Sequence, residues 1–207
     1  MLVLPAESVK SFCVASSCDY QVFYRYYEQY RARFCNERKS ILKNNKQSSA
    51  LRRVIRRASD YELHPSVAIV PLIESSLNPA AIGSGTRDPA MGMWQMKTPA
   101  AQDMGLIIND KIDERMDEEK STGAGLRYLR WLKRKFDGDH NLAVLAYHVG
   151  IGQLQRTMVK SGSSNAWYLS QLMSKSKPSQ DYLLKYYSYT ITLLDERQCV
   201  DSKGSAL

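Results

Sequence analysis

The chain has 207 residues, 43% apolar and 24% charged, with a net charge of +8 and a pI near 9.3. That length suits one domain, or one domain with an appended segment, and the apolar share excludes a disordered chain. No apolar run approaches the ~20 residues that span a bilayer, so no transmembrane segment is expected. The positive balance favours polyanionic partners, but nucleic acid, anionic lipid and acidic wall polymer all qualify, and charge alone does not choose among them. The opening "MLVLPAESV" is too short for the basic, apolar and cleavage regions of a secretory signal. An exported protein would therefore have lost its signal or use another route.

Read in order, the pattern is mostly helical. Asp19 caps a long helix over "YQVFYRYYEQYRARFCNERKSILKNN", with Phe23, Tyr27, Tyr30, Phe34 and Ile41 at helical spacing. "NNKQSS" reads as a loop. "ALRRVIRRASDYEL" then sets Leu51, Val54, Ile55 and Ala58 against Arg52, Arg53, Arg56 and Arg57, a basic amphipathic helix whose charged side is either a solvated face or a polyanion contact. His64-Pro65 breaks it. "SVAIVPLIESS" is a short helix, apolar on nearly every side and so expected at the centre of the packing, and Asn78-Pro79 ends it.

"IGSGTRDPAMGMWQM" is rich in Gly and Pro, and is the one place for a small β-hairpin or an irregular wall. "TPAAQDMGL" reads as a capped short helix closed by Gly105. From Asp113, "ERMDEEKSTGAGLRYLRWLKRKF" has acids in its early turns and bases in its last, which suits the helix dipole, with Leu126, Leu129, Leu132 and Phe136 inside. "DGDHN" is a turn. "LAVLAYHVG" and "IGQLQRTMVKSG" are further helices, and a last one runs from about Ser179 to Glu196. There is no internal repeat.

The four cysteines, Cys13, Cys18, Cys35 and Cys199, lie towards the two ends. An even count outside the central region fits disulfides formed in an oxidising compartment. Of three connectivities, Cys13–Cys18 with Cys35–Cys199 is preferred, since the first closes a short loop and the second staples the C-terminal region. Buried free thiols are the alternative. Zinc is disfavoured because no Cys-x-x-Cys pair exists.

The chemistry narrows by elimination. No Gly-x-Ser-x-Gly elbow exists, only His64, His140 and His148 are present, and "GSG" and "GIG" lack the rest of a phosphate-binding loop. No His-x-x-x-His or carboxylate cluster points to a metal, so no metal or cofactor is expected. What remains is Glu74, an acid at the end of an apolar run. Burial penalises the ionised form, and a carboxyl held protonated near neutral pH can serve as a general acid in glycoside cleavage. The bland alternative is that Glu74 ends a helix and points to solvent.

"PLIESSLNPAAI", "GMWQMKTPAAQDMGL" and "AVLAYHVGIGQLQR", in this order and spacing, resemble the soluble-lytic-transglycosylase domain of the goose-type-lysozyme-like superfamily, and most closely its membrane-bound transglycosylase D branch. The likeness covers roughly residues 60 to 195, fading towards "PSQDYLLKYY". It implies a mainly α, lysozyme-like helical domain over 60–207, preceded by an N-terminal helical extension over 1–59. It further implies cleavage of the β-1,4 bond between N-acetylmuramic acid and N-acetylglucosamine in peptidoglycan glycan strands, in the periplasm or cell envelope, with a 1,6-anhydro product.

By the same resemblance Glu74 is the single catalytic acid and base. Ser75 bonds within the site or caps the helix end, Gln95 contacts substrate, Tyr147 lines the site, and Tyr182 places its hydroxyl near the acid. Met93, with Trp94, stands at a position that is apolar in the family and serves either as a substrate contact or as core. The family has Asn after the tyrosine where this chain has His148; imidazole also hydrogen-bonds but changes charge near neutral pH. Two rival readings stay open. One is a true lysozyme, which would need a second carboxylate such as Asp88 or Asp103. The other is a catalytically weak wall-binding component of an envelope-spanning secretion apparatus.

Overall fold

The computed structural model describes residues 5–85, 87–174, 180–194 and 196–199. Ten α-helices follow one another among them: α1 (Pro5–Ser16), α2 (Tyr20–Lys43), α3 (Asn45–Ala58), α4 (Ile69–Ser75), α5 (Thr98–Asp103), α6 (Glu118–Lys135), α7 (His140–Val149), α8 (Ile151–Ser161), α9 (Ala166–Ser174) and α10 (Gln180–Leu194). Extended pairing among the described residues is limited to isolated antiparallel bridges, Ile82–Met91, Met91–Met96 and Ile108–Asp113. Of the two readings of the Gly/Pro-rich segment, the irregular wall is the one present, held by single bridges. The chain divides into two compact units, one spanning Asn44–Gly138 and the other combining Met1–Lys43 with Asp139–Leu207.

The second of these is built around aromatic rings. The expected stripe of α2 is present: Phe23, Tyr27, Phe34 and Ile41 are buried, and Tyr30 is half-buried. Phe23 lies 5.8 Å from Tyr187 of α10 and 6.4 Å from Trp167 of α9, both edge-on, and Phe12 of α1 meets the Tyr187 ring edge-on at 5.0 Å. Edge-to-face pairs of this kind add to the gain from area burial alone. Burial pushes the Tyr187 hydroxyl pKa far up, with Tyr186 and Asp139 adding to it. Both preferred disulfides form, Cys13–Cys18 with Cα atoms 4.8 Å apart and Cys35–Cys199 at 5.4 Å. The second ties α2 to the 3-10 turn Glu196–Cys199 that follows α10.

In the other unit, α3 starts where the sequence reads as a loop. The Asn44 side chain accepts from the backbone N–H groups of Lys46 and Gln47, and this cap turns the polar run "NKQSS" into a first helical turn. Arg53 of α3 reaches Glu118 of α6 at 2.7 Å. Asp117 caps α6 by accepting from Glu119 and Lys120, so the long helix begins at Glu118 rather than next to Asp113, and a short 3-10 turn, Glu114–Met116, precedes it. Leu126, Leu129, Leu132 and Phe136 are buried as expected.

Helix α5 is closed at Gly105, whose φ is +83°, but the preceding Lys97 makes no side-chain cap. The Thr98 hydroxyl donates to Asp88 instead. Helices α1 and α9 have no counterpart in the sequence reading. For α9 a signal existed: the Asn165 side chain accepts from the Tyr168 backbone at 2.8 Å, a helix-start bond. Of the expected last helix, Ser179 lies outside the described residues, and Glu196 opens the 3-10 turn.

Candidate active site

Glu74 owes its position to a short, abrupt helix. Pro65 opens a 3-10 turn, Pro65–Ala68, at a place where a missing N–H costs nothing, and the His64 ring nitrogen accepts from the Ser66 backbone. The turn leads into α4, whose Ile69, Val70, Pro71 and Leu72 are buried. Two consecutive non-glycine residues then adopt left-handed backbone, Ser76 at φ +55° and Leu77 at +61°. Each such residue costs on the order of 1–3 kcal/mol, and burial of the Leu77 side chain together with the Gln47 amide donating to the Ser76 carbonyl at 2.9 Å opposes that cost. The reversal leaves Glu74 on the last turn of a core helix. The residue is half-buried, and its Oε1 is closed off from solvent.

Ser75 does two jobs. Its hydroxyl donates to the Met93 carbonyl oxygen at 2.7 Å and accepts from the Asn78 backbone N–H at 3.1 Å. It thus pins the segment carrying Gln95 to the end of α4 while also capping the turn. Met93 and Trp94 have no exposed surface, so their side chains belong to the core in this structure. Trp94 packs flat on α6 at Gly125, where an added Cβ would come within 2.4 Å of the indole, and its N–H donates to Thr122 at 3.3 Å. The glycine is what lets the indole lie against the helix.

Gln95 has left-handed backbone, φ +47°. Its side-chain amide donates to the carbonyl oxygens of Gly92 at 2.8 Å and Ala81 at 3.2 Å, stitching together the two sides of the irregular segment. Both amide hydrogens are used in this way, so what Gln95 can offer a ligand is its carbonyl oxygen.

The sequence reading missed Arg115, which organises this wall. It is buried, and all of its guanidinium nitrogens are engaged: Nε and Nη2 with Asp113, Nη1 with the Pro89 and Met96 carbonyl oxygens. Gly92 lies against its backbone so closely that a Cβ there would sit 1.7 Å from the Arg115 carbonyl oxygen. The only signal in the sequence was a single arginine among acids in "DERMDEE", which reads more naturally as helix-dipole chemistry. The hydrogen bond from Arg115 holds the Asp113 carboxyl pKa below its ordinary value, and the Thr98 hydroxyl does the same for Asp88. Asp88 also accepts from the Thr98 backbone and lies 3.6 Å from Arg115. It is a brace of the wall, and the part of second catalytic carboxylate would have to be played against those bonds.

In the other unit, Asp139 caps α7 by accepting from Leu142 at 2.8 Å, and Leu142 to Ala146 are buried. Tyr147 and His148 follow on the last turn, half-buried and exposed respectively, before Gly150 breaks the helix at φ +83°. The structure brings His148 together with Tyr182 of α10: the rings are parallel to within 11° with centroids 3.9 Å apart, and Tyr182 itself is buried.

Residues 53–182 match the family described as the transglycosylase SLT domain, a stretch that starts within α3 and ends at Tyr182. A putative tributyltin chloride resistance protein of Alteromonas sp. (strain M-1) is 34% identical over 92 residues, 44% of this chain and 43% of that protein. Membrane-bound lytic murein transglycosylase D of Escherichia coli (strain K12) is 30% identical over 107 residues, 50% of this chain and 23% of that protein. Peptidoglycan transglycosylase gp16 of Escherichia phage T7 is 35% identical over 74 residues, 35% and 6% respectively. The chain thus spans less than half the length of these relatives. With more than half of its own residues inside the family match, the chain belongs to the transglycosylase SLT domain family, whose fold is lysozyme-like and helical.

Proposed function

We propose that this chain is a peptidoglycan lytic transglycosylase that cleaves the β-1,4 bond between N-acetylmuramic acid and N-acetylglucosamine, with Glu74 as its one acid and base. The observation that carries the reading is the placement of Glu74: half-buried, one carboxyl oxygen shut off from solvent, on the last turn of a core helix inside the matched stretch. Protonated Glu74 gives its proton to the glycosidic oxygen as the C1–O bond breaks, and the acetamido group of the substrate stabilises the positive charge at C1. The resulting carboxylate takes the proton of the C6 hydroxyl, whose oxygen attacks C1. Glu74 ends as it began, no water is consumed, and the product is a 1,6-anhydro sugar. A second carboxylate is unnecessary because the nucleophile belongs to the substrate.

Ser75 holds the acid-bearing turn, the Gln95 carbonyl accepts from a substrate hydroxyl or N–H, and Tyr147, His148 and Tyr182 are further substrate contacts. Digesting peptidoglycan in oxygen-18 water tests the reaction class. Unlabelled anhydro ends support it, whereas labelled reducing ends would make the protein a lysozyme. Two disulfides and murein-acting relatives favour the periplasm or envelope. Service to an envelope-spanning secretion or conjugation apparatus extends the same reading, and a deletion strain in which every such apparatus assembles normally would remove that extension.

A further inference from the structure

Helices α8 and α9 are joined by a turn that their own side chains lock. The Ser163 backbone donates to the Ser161 hydroxyl, the Asn165 backbone to the Ser163 hydroxyl, and the Tyr168 backbone to the Asn165 side chain. Two helices joined so tightly ordinarily close apolar faces on each other. Here α8 turns a polar face to the seam, Gln153, Thr157, Lys160 and Ser161 at spacings of four, three and one. From α9, Tyr168, 47% exposed, lines it together with Leu172 and Met173. The seam stays open as a groove of about 460 Å³, within the range of small-ligand sites.

The lining specifies its ligand. Lys160 is the one charged group among the described residues that line it, so the groove favours an anion. The Thr157 hydroxyl spends its hydrogen on the Gln153 carbonyl, and the Ser161 hydroxyl on that of Met158, so each offers a visitor only acceptor capacity, Ser161 a single lone pair because it already accepts from the Ser163 backbone. A visitor must then bring hydrogen-bond donors as well as a carboxylate, with small apolar groups for Leu172 and Met173. The N-acetylated sugars of an intact strand bring hydroxyls, N–H groups and methyls but no free carboxylate. A short acidic peptide brings all three features.

We infer that the groove between α8 and α9 binds the acidic peptide arms of peptidoglycan, with Lys160 taking a carboxylate, Thr157 and Ser161 accepting from peptide N–H groups, and alanine methyls resting on Leu172 and Met173. The occupant rests on the peptidoglycan reading above, while the groove and its polarity do not. The test titrates the full chain with the free stem tetrapeptide (L-Ala, γ-D-Glu, diaminopimelate, D-Ala) and separately with peptide-stripped glycan strands, following backbone amide signals by NMR. The tetrapeptide should shift the signals of Thr157, Lys160, Ser161 and Tyr168, and its affinity should fall about tenfold in Lys160→Glu, the loss expected for one charge-assisted bond. Thr157→Val, close in shape, should weaken binding with the amide spectrum otherwise kept.

Absent shifts, shifts confined to other residues, or groove shifts from stripped glycan alone would overturn the inference. Because the readout is binding, a protein that makes no anhydro product yet binds the tetrapeptide here would refute the transglycosylase reading and leave the groove standing.

Discussion

Ser75 and Met93 stand 18 residues apart, yet the hydroxyl of one meets the carbonyl oxygen of the other at 2.7 Å. That bond links the turn carrying Glu74 to the segment carrying Gln95. Ser75→Ala is expected to cost about 1 kcal/mol of stability, the net worth of such a bond. If the bond also positions the acid, kcat should fall about tenfold with KM little changed, and Ser75→Thr should recover most of the loss. A kcat that tracks stability alone across the three proteins would reduce Ser75 to a cap.

The contact of Trp94 with Gly125 predicts strong coupling. An added methyl would lie 2.4 Å from the indole, and α6 cannot step back without losing its buried leucines. Gly125→Ala should cost about 1–3 kcal/mol by overpacking. Pairing it with Trp94→Leu, which empties the space, should cost less than the sum of the two single changes. Additive losses in a double-mutant cycle by thermal denaturation would show that the helix relaxes freely.

The wall around Arg115 should be sensitive to acid. Hydrogen bonds lower the pKa of Asp88 (from Thr98), of Asp113 (from Arg115) and of Glu114 (from the Ile107 N–H, then Lys120). A carboxyl whose folded pKa lies below its unfolded one contributes stability that is complete above the unfolded value, about 4, and is lost as pH falls through the folded value. Stability should therefore be level from neutral pH down to about 4, as far as these groups decide it, and fall below that. Asp113→Asn should be less stable at neutral pH but lose less on acidification. Parallel stability curves for the two proteins would contradict this.

The His148–Tyr182 stack, 3.9 Å between centroids, predicts that the two rings are energetically coupled. In a double-mutant cycle by thermal denaturation, His148→Ala and Tyr182→Leu should together cost about 0.5–1.5 kcal/mol less than the sum of the single changes. Additive losses would show that the contact carries no stability.

The sequence made the helical character, the burial of the segment ahead of Glu74 and both disulfides legible, because each rests on local spacing or on a small count of cysteines. Capping was read less well. Asn44 starts a helix in a run that composition marks as loop, and Thr98 spends its hydroxyl on Asp88 rather than on α5. Arg115 was invisible for a related reason. Its partners at Pro89 and Met96 are 26 and 19 residues away and are backbone carbonyls, which leave no trace in side-chain pattern. Likewise, the open seam between α8 and α9 follows from which face of α8 meets its neighbour, and periodicity alone does not say that.

The central claim is that one carboxylic acid, Glu74, runs both proton transfers. It is tested most directly by mass spectrometry of peptidoglycan treated with wild type and with Glu74→Gln, alongside sedimentation of each protein with the same wall material. The account predicts 1,6-anhydromuramyl products from wild type, at least about 100-fold fewer from Glu74→Gln, and equal sedimentation of both. Undiminished anhydro product from Glu74→Gln, or none from either protein while both bind, would contradict it.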